Sequence, residues 1–146
     1  MNLDEIIELL KAKFSEFQSA EKRSFRDFVK YESNFRGRKG VLEYPGCYVI
    51  YEGDEPIYVG SAGKGTHVLK YRMGDLFSYT PRSGYHHTLT RKLITHKKYK
   101  RFKNIDEVRE FYLNECSVKI IRTNNKQEAQ LVESALVLHL NPKYNE

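Results

Sequence analysis

The sequence predicts an α/β (α+β) fold: a small antiparallel sheet of three strands among helices, preceded by an N-terminal helical extension. Residues 46–60 alternate with a period of two around an acidic turn, as a β-hairpin does, and residues 116–123 form a third β-rich run. Apolar residues recur at helical spacing near both ends of the chain. A length of 146 residues fits one compact domain with a small appendage.

The N-terminal extension comprises residues 1–40. Apolar side chains recur at helical spacing from Leu3 to about Gln18, and the pattern continues from Glu21 to Tyr31. We expect two amphipathic helices or one bent helix. Residues 34–39 are rich in charged and amide side chains and contain a glycine, so they predict a linker.

Two tyrosines lie in the hairpin. If Ile50 pairs with Pro56, Tyr48 lies directly opposite Tyr58 on one face, with Cβ atoms about 5 Å apart. A register slip of one residue would separate them. One interpretation is a stabilising cross-strand aromatic pair.

Glycines support a second interpretation of the hairpin. Gly46 precedes Tyr48 by two residues and Gly60 follows Tyr58 by two, on the same face. A backbone without side chains beside two phenols indicates that another group approaches closely. The hairpin therefore predicts either an aromatic pair or one wall of a binding site.

Helices are predicted by local patterns in three further segments, residues 67–77, 87–97 and 106–115. The terminal helix is the clearest element. Asn124 or Asn125 can cap its start, and Asn141 with Pro142 ends it.

Positive charge is concentrated in one segment. The net charge is +6, but residues 61–103 hold eleven Lys and Arg against the single acid Asp75, a local net of +10. Tyrosines and histidines are interleaved with these cations. Cations displace the counterions of a phosphate backbone and flat side chains stack on bases, so the segment predicts nucleic-acid binding; the alternative is a solvated basic face. The candidate contacts are Lys70, Arg82, His86, His87, Arg91 and Lys92.

Composition excludes several classes of protein. No apolar run approaches the roughly 20 residues of a membrane span. The N-terminus MNLDEIIELLKAKF lacks the apolar stretch of a secretory signal, so we expect a cytoplasmic protein, with association with the nucleoid as one option. Cys47 and Cys116 are too few for a disulfide framework or a zinc cluster, and we expect reduced, partly buried thiols.

Two charged residues stand out on apolar helices. Glu133 lies in LVESALVLHL, a segment apolar over most of its circumference and therefore expected to be buried. A buried carboxylate needs a salt bridge or a metal ion, and Mg²⁺ prefers carboxylate oxygens. Arg72 is the polar exception in an apolar stripe, and it either reaches the pocket of the tyrosines or lies in solvent.

Together these residues resemble the GIY-YIG nuclease superfamily. The two halves of the motif are Gly46-Cys47-Tyr48 and Tyr58-Val59-Gly60; an arginine, a helical glutamate and a final asparagine follow in the family's order as Arg72, Glu133 and Asn145. Cys47 replaces the isoleucine of the motif name, and Arg72 lies several residues farther along than in the shortest members. The resemblance spans residues 46–145, which predicts an extension over 1–40 and a nuclease domain over 41–146.

The resemblance implies a three-stranded antiparallel sheet flanked by helices and a metal-dependent endonuclease. Such an enzyme hydrolyses DNA phosphodiester bonds to give 5′-phosphate and 3′-hydroxyl ends, in a restriction-type or structure-selective reaction, with RNA also open as a substrate. A homodimer would suit a symmetric site, and the N-terminal helices could provide its contact. The alternative is a non-catalytic nucleic-acid-binding module on the same fold.

The resemblance also implies roles for individual residues. Glu133 would bind Mg²⁺ or Mn²⁺, and Tyr48 would be the general base, with Tyr58 positioning water or phosphate or exchanging roles with it. A tyrosine has a pKa near 10, so this role needs nearby positive charge. Arg72, helped by Lys64 or His67, would neutralise developing charge. The remaining marker, Asn145, would tie the C-terminus to the site.

Overall fold

The computed structural model describes residues 1–30, 36–63, 68–80 and 87–145. Five strands occur in these residues: β1 (Val29–Lys30), β2 (Arg36–Gly37), β3 (Gly46–Glu52), β4 (Glu55–Ala62) and β5 (Cys116–Arg122). Five α-helices accompany them: α1 (Leu3–Ser19), α2 (Leu69–Asp75), α3 (Thr88–Thr95), α4 (Ile105–Glu115) and α5 (Lys126–Leu140). No helix in the described residues is long and apolar enough to cross a membrane.

The main sheet has three antiparallel strands in the order β4-β3-β5, which confirms the predicted fold class. Its two faces bury separate clusters. One face, with Tyr48 and Tyr58, packs against α2, α3 and α4. The other face, with Cys47 and Val49, packs against α1 and α5. The sheet is therefore covered on both sides, as its nearly unbroken burial along β3 requires.

The predicted register of the hairpin is wrong. Tyr48 lies opposite Gly60, and Tyr58 lies opposite Ile50. The turn is tighter than predicted because Glu52 already pairs with Glu55, and a bulge beyond the turn moves the register by one further residue. The total displacement is two residues, so both tyrosines keep the same face.

The N-terminal extension packs into the same core as the sheet. The prediction of α1 is confirmed, with Asn2 as its cap. The predicted second helix is wrong, because residues 25–27 form a single 3₁₀ turn that leads into β1. Phe25 and Phe28 are buried in the cluster that contains Tyr48. The predicted linker is wrong at residues 36 and 37, which pair with β1, while residues 34 and 35 lie outside the described residues.

The terminal helix α5 begins as predicted. The Asn125 side chain accepts a hydrogen bond from the Glu128 amide at 2.9 Å, and Asn141 ends the helix in the left-handed conformation with φ 47°. The chain after α5 returns to the outer edge of β4, where the Tyr144 amide donates to the Ile57 carbonyl at 2.9 Å. The C-terminal residues therefore cover the open edge of the sheet.

Candidate active site

Three aromatic rings meet at one end of the β3–β4 face. The ring centroids of Tyr48 and Tyr58 are 6.3 Å apart, and that of His87 is 6.0 Å from Tyr48 and 5.3 Å from Tyr58. Tyr48 and His87 have no exposed surface, and Tyr58 is 8% exposed. The site is thus a closed cluster of rings in which only Tyr58 reaches the protein surface.

The two motif glycines make room for the protein's own groups. A Cβ atom at Gly60 would overlap the hydroxyl group of Tyr48 and lie 3.0 Å from its Cε1 atom. A Cβ atom at Gly46 would overlap the Ile121 carbonyl and lie 2.8 Å from Leu69 of α2. The glycines do allow a close approach, but the phenol of Tyr48 and the helix α2 occupy that space.

A histidine nitrogen and a positive charge act on the hydroxyl group of Tyr48. His87 Nε2 lies 2.5 Å from the hydroxyl oxygen, and the charge of Arg72 favours its ionised form. Arg72 lies on α2, where it pairs with Asp75 at 3.5 Å and keeps 29% of its side chain exposed. The structure therefore brings Arg72 beside the two tyrosines, between the buried rings and solvent.

His87 does not have the environment of a nucleic-acid contact. The sequence predicts that His87 contacts nucleic acid together with surface cations. Its side chain is instead buried at the N-terminus of α3. There its Nδ1 atom accepts a hydrogen bond from the Leu89 amide at 3.0 Å, as an N-cap does. The apolar run that follows was the signal for a helix start at this residue, but the basic composition around it hid that role.

Burial controls the titration of the tyrosines. Burial raises the pKa of Tyr48 well above its usual value, the negative charge of Glu133 adds to the effect, and Arg72 opposes it. Burial also raises the pKa of Tyr58. Arg72 favours the phenolate of Tyr48, as the base role requires, but burial outweighs its contribution.

Glu133 approaches the site from α5. Its carboxylate accepts a hydrogen bond from the Ser61 hydroxyl, one residue beyond Gly60, and is half-buried. Its charge acts on both tyrosines. Cys47 lies near it as a neutral thiol, because burial and the charge of Glu133 raise its pKa to about 12.

A single carboxylate with a hydroxyl neighbour fits Mg²⁺, which keeps several waters and takes one or two carboxylates together with substrate phosphates. Among residues 1–30, 36–63, 68–80 and 87–145 there is no group of three or more His, Cys, Asp or Glu that could hold a metal by themselves. Glu133 is thus suited to share a cation with a phosphate group.

Asn145 lies at the edge of β4, where the sequence predicts a structural role. Its amide group accepts from the Val59 N–H at 2.8 Å and donates to the Val59 carbonyl at 2.7 Å, as a neighbouring strand would. Both bonds hold β4 next to Tyr58 in position.

The predicted nucleic-acid contacts differ in their surroundings. Arg91 is exposed on α3 and, with Lys92, Thr95, His96 and Lys97, lines a groove of about 520 Å³. Lys70 instead pairs with Glu43 at 3.3 Å. Four predicted residues lie outside the described residues: Lys64, His67, Arg82 and His86.

Solved structures similar to this chain are N-terminal GIY-YIG endonuclease domains of UvrC from Thermotoga maritima. A form bound to magnesium and a tyrosine-to-phenylalanine variant bound to its catalytic divalent cation are each 22% identical to the chain, cover 72% of it with 86% of their own length, and have TM-scores of 0.38. No protein-family model matches the chain. No curated protein sequence matches it either.

Proposed function

We propose that the protein is a GIY-YIG-type, metal-dependent endonuclease that hydrolyses phosphodiester bonds of DNA to 5′-phosphate and 3′-hydroxyl ends. The observation that carries the proposal is the convergence of two tyrosines, an arginine and a carboxylate from four separate elements on one site. Tyr48 comes from β3, Tyr58 from β4, Arg72 from α2 and Glu133 from α5. A structural role alone would not require a charged arginine and a carboxylate beside buried phenols.

Each side chain has one task in the proposed hydrolysis. Tyr48 first releases its own proton to solvent when substrate binds, and as a phenolate it takes the proton of the attacking water. The water oxygen forms the new bond to phosphorus while the bond to the 3′ oxygen breaks, and solvent protonates the leaving 3′ oxygen. Arg72 compensates the negative charge that develops on the phosphate. Tyr58, at the surface of the site, positions the phosphate or the water. Glu133 would hold the divalent cation, Mg²⁺ or Mn²⁺.

A bound divalent cation would supply Lewis-acid stabilisation of the phosphate and the leaving oxygen. The chain's own residues prepare the site for it. The Ser61 hydroxyl holds one oxygen of the Glu133 carboxylate, which fixes the orientation of the group. Arg72 supplies a permanent positive charge that acts on both tyrosines.

Nucleic acid would follow the outer surface of α3. The helix begins at the buried His87 and leads away from the site past Arg91, Lys92 and Lys97. At about 1.5 Å of rise per residue, the groove begins about 6 Å beyond His87, close to the spacing of neighbouring phosphates. Arg91 and Lys97 are therefore placed to bind the backbone beside the scissile phosphate, whereas Lys92 Nζ donates to the Tyr144 carbonyl at 2.8 Å.

The experiment compares Glu133→Gln with the wild type in cleavage of plasmid, branched and single-stranded DNA with Mg²⁺ or Mn²⁺. Loss of the charged ligand Glu133 should reduce cleavage by at least about 100-fold while DNA binding persists. Glu128→Gln on the same helix is the matched control, because glutamine can still accept the hydrogen bond from the Asn124 amide. Unchanged cleavage by Glu133→Gln would refute the proposal, and binding without cleavage by the wild type would identify a binding module.

A further inference from the structure

We infer that His87 is a positioning residue whose Nε2–H group donates a fixed hydrogen bond to the hydroxyl oxygen of Tyr48, so that the imidazole orients the base and does not remove its proton. The inference rests on the proposed function and extends it to a residue that the sequence assigned to nucleic-acid binding.

The tautomer follows from the two contacts of the ring. The Leu89 amide can only donate, and it points at Nδ1 from 3.0 Å, so Nδ1 carries a lone pair. A neutral imidazole then carries its hydrogen on Nε2. That nitrogen lies 2.5 Å from the hydroxyl oxygen of Tyr48, which therefore accepts the bond.

The doubly protonated ring is excluded by the same geometry. A hydrogen on Nδ1 would face the hydrogen of the Leu89 amide and break the cap of α3. Burial and the positive charge of Arg72 act in the same direction, and both lower the pKa of His87 well below its usual value. His87 thus has no free lone pair with which to accept the proton of Tyr48.

The consequence concerns the hydroxyl group of Tyr48. Its oxygen accepts from His87, and the positive charge of Arg72 acts on the same group. The bond from His87 uses one lone pair of the neutral phenol, so the phenol's own hydrogen must point away from the imidazole. A phenolate formed during reaction would find the His87 donor and the charge of Arg72 already in place, with no reorganisation of the site.

Two variants separate the donor from the cap. His87→Asn keeps an acceptor for the Leu89 amide but is too short to reach Tyr48, whereas His87→Gln can extend an N–H group to it. We expect His87→Asn to fold and to lose about 10- to 100-fold in kcat with little change in KM, since a hydrogen bond to a charged group is lost. His87→Gln should recover most of that loss.

A readout independent of cleavage keeps this inference separate from the proposed function. Nitrogen-15 NMR of the histidine ring should show the neutral Nε2–H tautomer from pH 6 to pH 8, and Tyr48→Phe should shift the Nε2–H proton resonance. Absence of cleavage by the wild type would refute the nuclease but leave this assignment intact. An Nδ1–H or a charged ring, or full activity of His87→Asn, would overturn the inference.

Discussion

Gly60→Ala tests whether the motif glycine serves the packing of Tyr48. The new Cβ atom would overlap the Tyr48 hydroxyl and lie 3.0 Å from Cε1. The ring cannot move aside freely, because Tyr48 has no exposed surface and its hydroxyl group is bonded to His87. Inserting one carbon into such a core costs about 1–3 kcal/mol of unfolding free energy.

This loss of unfolding free energy corresponds to a decrease in the melting temperature, Tm. For 146 residues, an unfolding entropy of about 2.1 cal/mol/K per residue gives about 0.3 kcal/mol/K, so Tm should fall by about 3–10 °C. Differential scanning calorimetry measures Tm, and urea unfolding measures the free energy directly.

A double-mutant cycle identifies the group that the new methyl meets. Tyr48→Leu lacks the hydroxyl, Cζ and Cε1, the three atoms nearest to the added Cβ. In that background Gly60→Ala should cost less than about 0.5 kcal/mol, a coupling that only neighbouring residues show. An equal cost in both backgrounds, or a wild-type Tm for Gly60→Ala, would refute the interpretation that Gly60 makes room for Tyr48.

Three other outcomes are expected. Asn145→Ala loses both hydrogen bonds to β4 and should lower the urea-unfolding free energy by about 1–3 kcal/mol; no change would contradict a structural role. The folded protein keeps the Tyr48 proton above the usual pKa whereas the unfolded chain loses it near pH 10, so stability should fall as pH rises past 10. In Tyr48→Phe the decrease of unfolding free energy with pH should be smaller than in the wild type by about 1.4 kcal/mol per pH unit. Urea unfolding at alkaline pH measures this dependence, and the same pH dependence in both proteins would contradict the prediction. Arg91→Gln with Lys97→Gln should weaken DNA binding and reduce the slope of log K against log salt by about 2, measured by fluorescence anisotropy, whereas Lys11→Gln on α1 should not.

The parts of the fold that the sequence predicted well are those with local causes. The alternation in β3 and β4 and the Asn125 cap of α5 each depend on a few neighbouring residues. The shared face of Tyr48 and Tyr58 survived an incorrect register because the error was an even number of residues. The period of two thus predicted correctly which side chains share a face of the sheet, although it did not predict which residues lie opposite each other.

The parts that failed depend on distant segments. The spacing of Phe25 and Phe28 resembles that of a helix, but both side chains are buried by packing onto the sheet from a single turn. The burial of His87 cannot be predicted from composition, because it results from the packing of α3 against the hairpin. Similarly, the sequence indicated that something approaches Gly60, but the approaching group belongs to the neighbouring strand.

The electrostatics of Tyr48 explain how one residue can be both a core side chain and a base. Burial and the charge of Glu133 favour the neutral phenol, while Arg72 favours the phenolate. Burial is the largest of these contributions, and it keeps the phenol neutral at neutral pH. Three contributions hold the proton on Tyr48: burial, the neighbouring Tyr58 and the charge of Glu133. Any positive group that binds Glu133 cancels the last of these and leaves burial and Tyr58 to oppose Arg72. Coupling the proton of Tyr48 to the occupancy of Glu133 would therefore confine stronger base character to the protein that has a cation bound at Glu133.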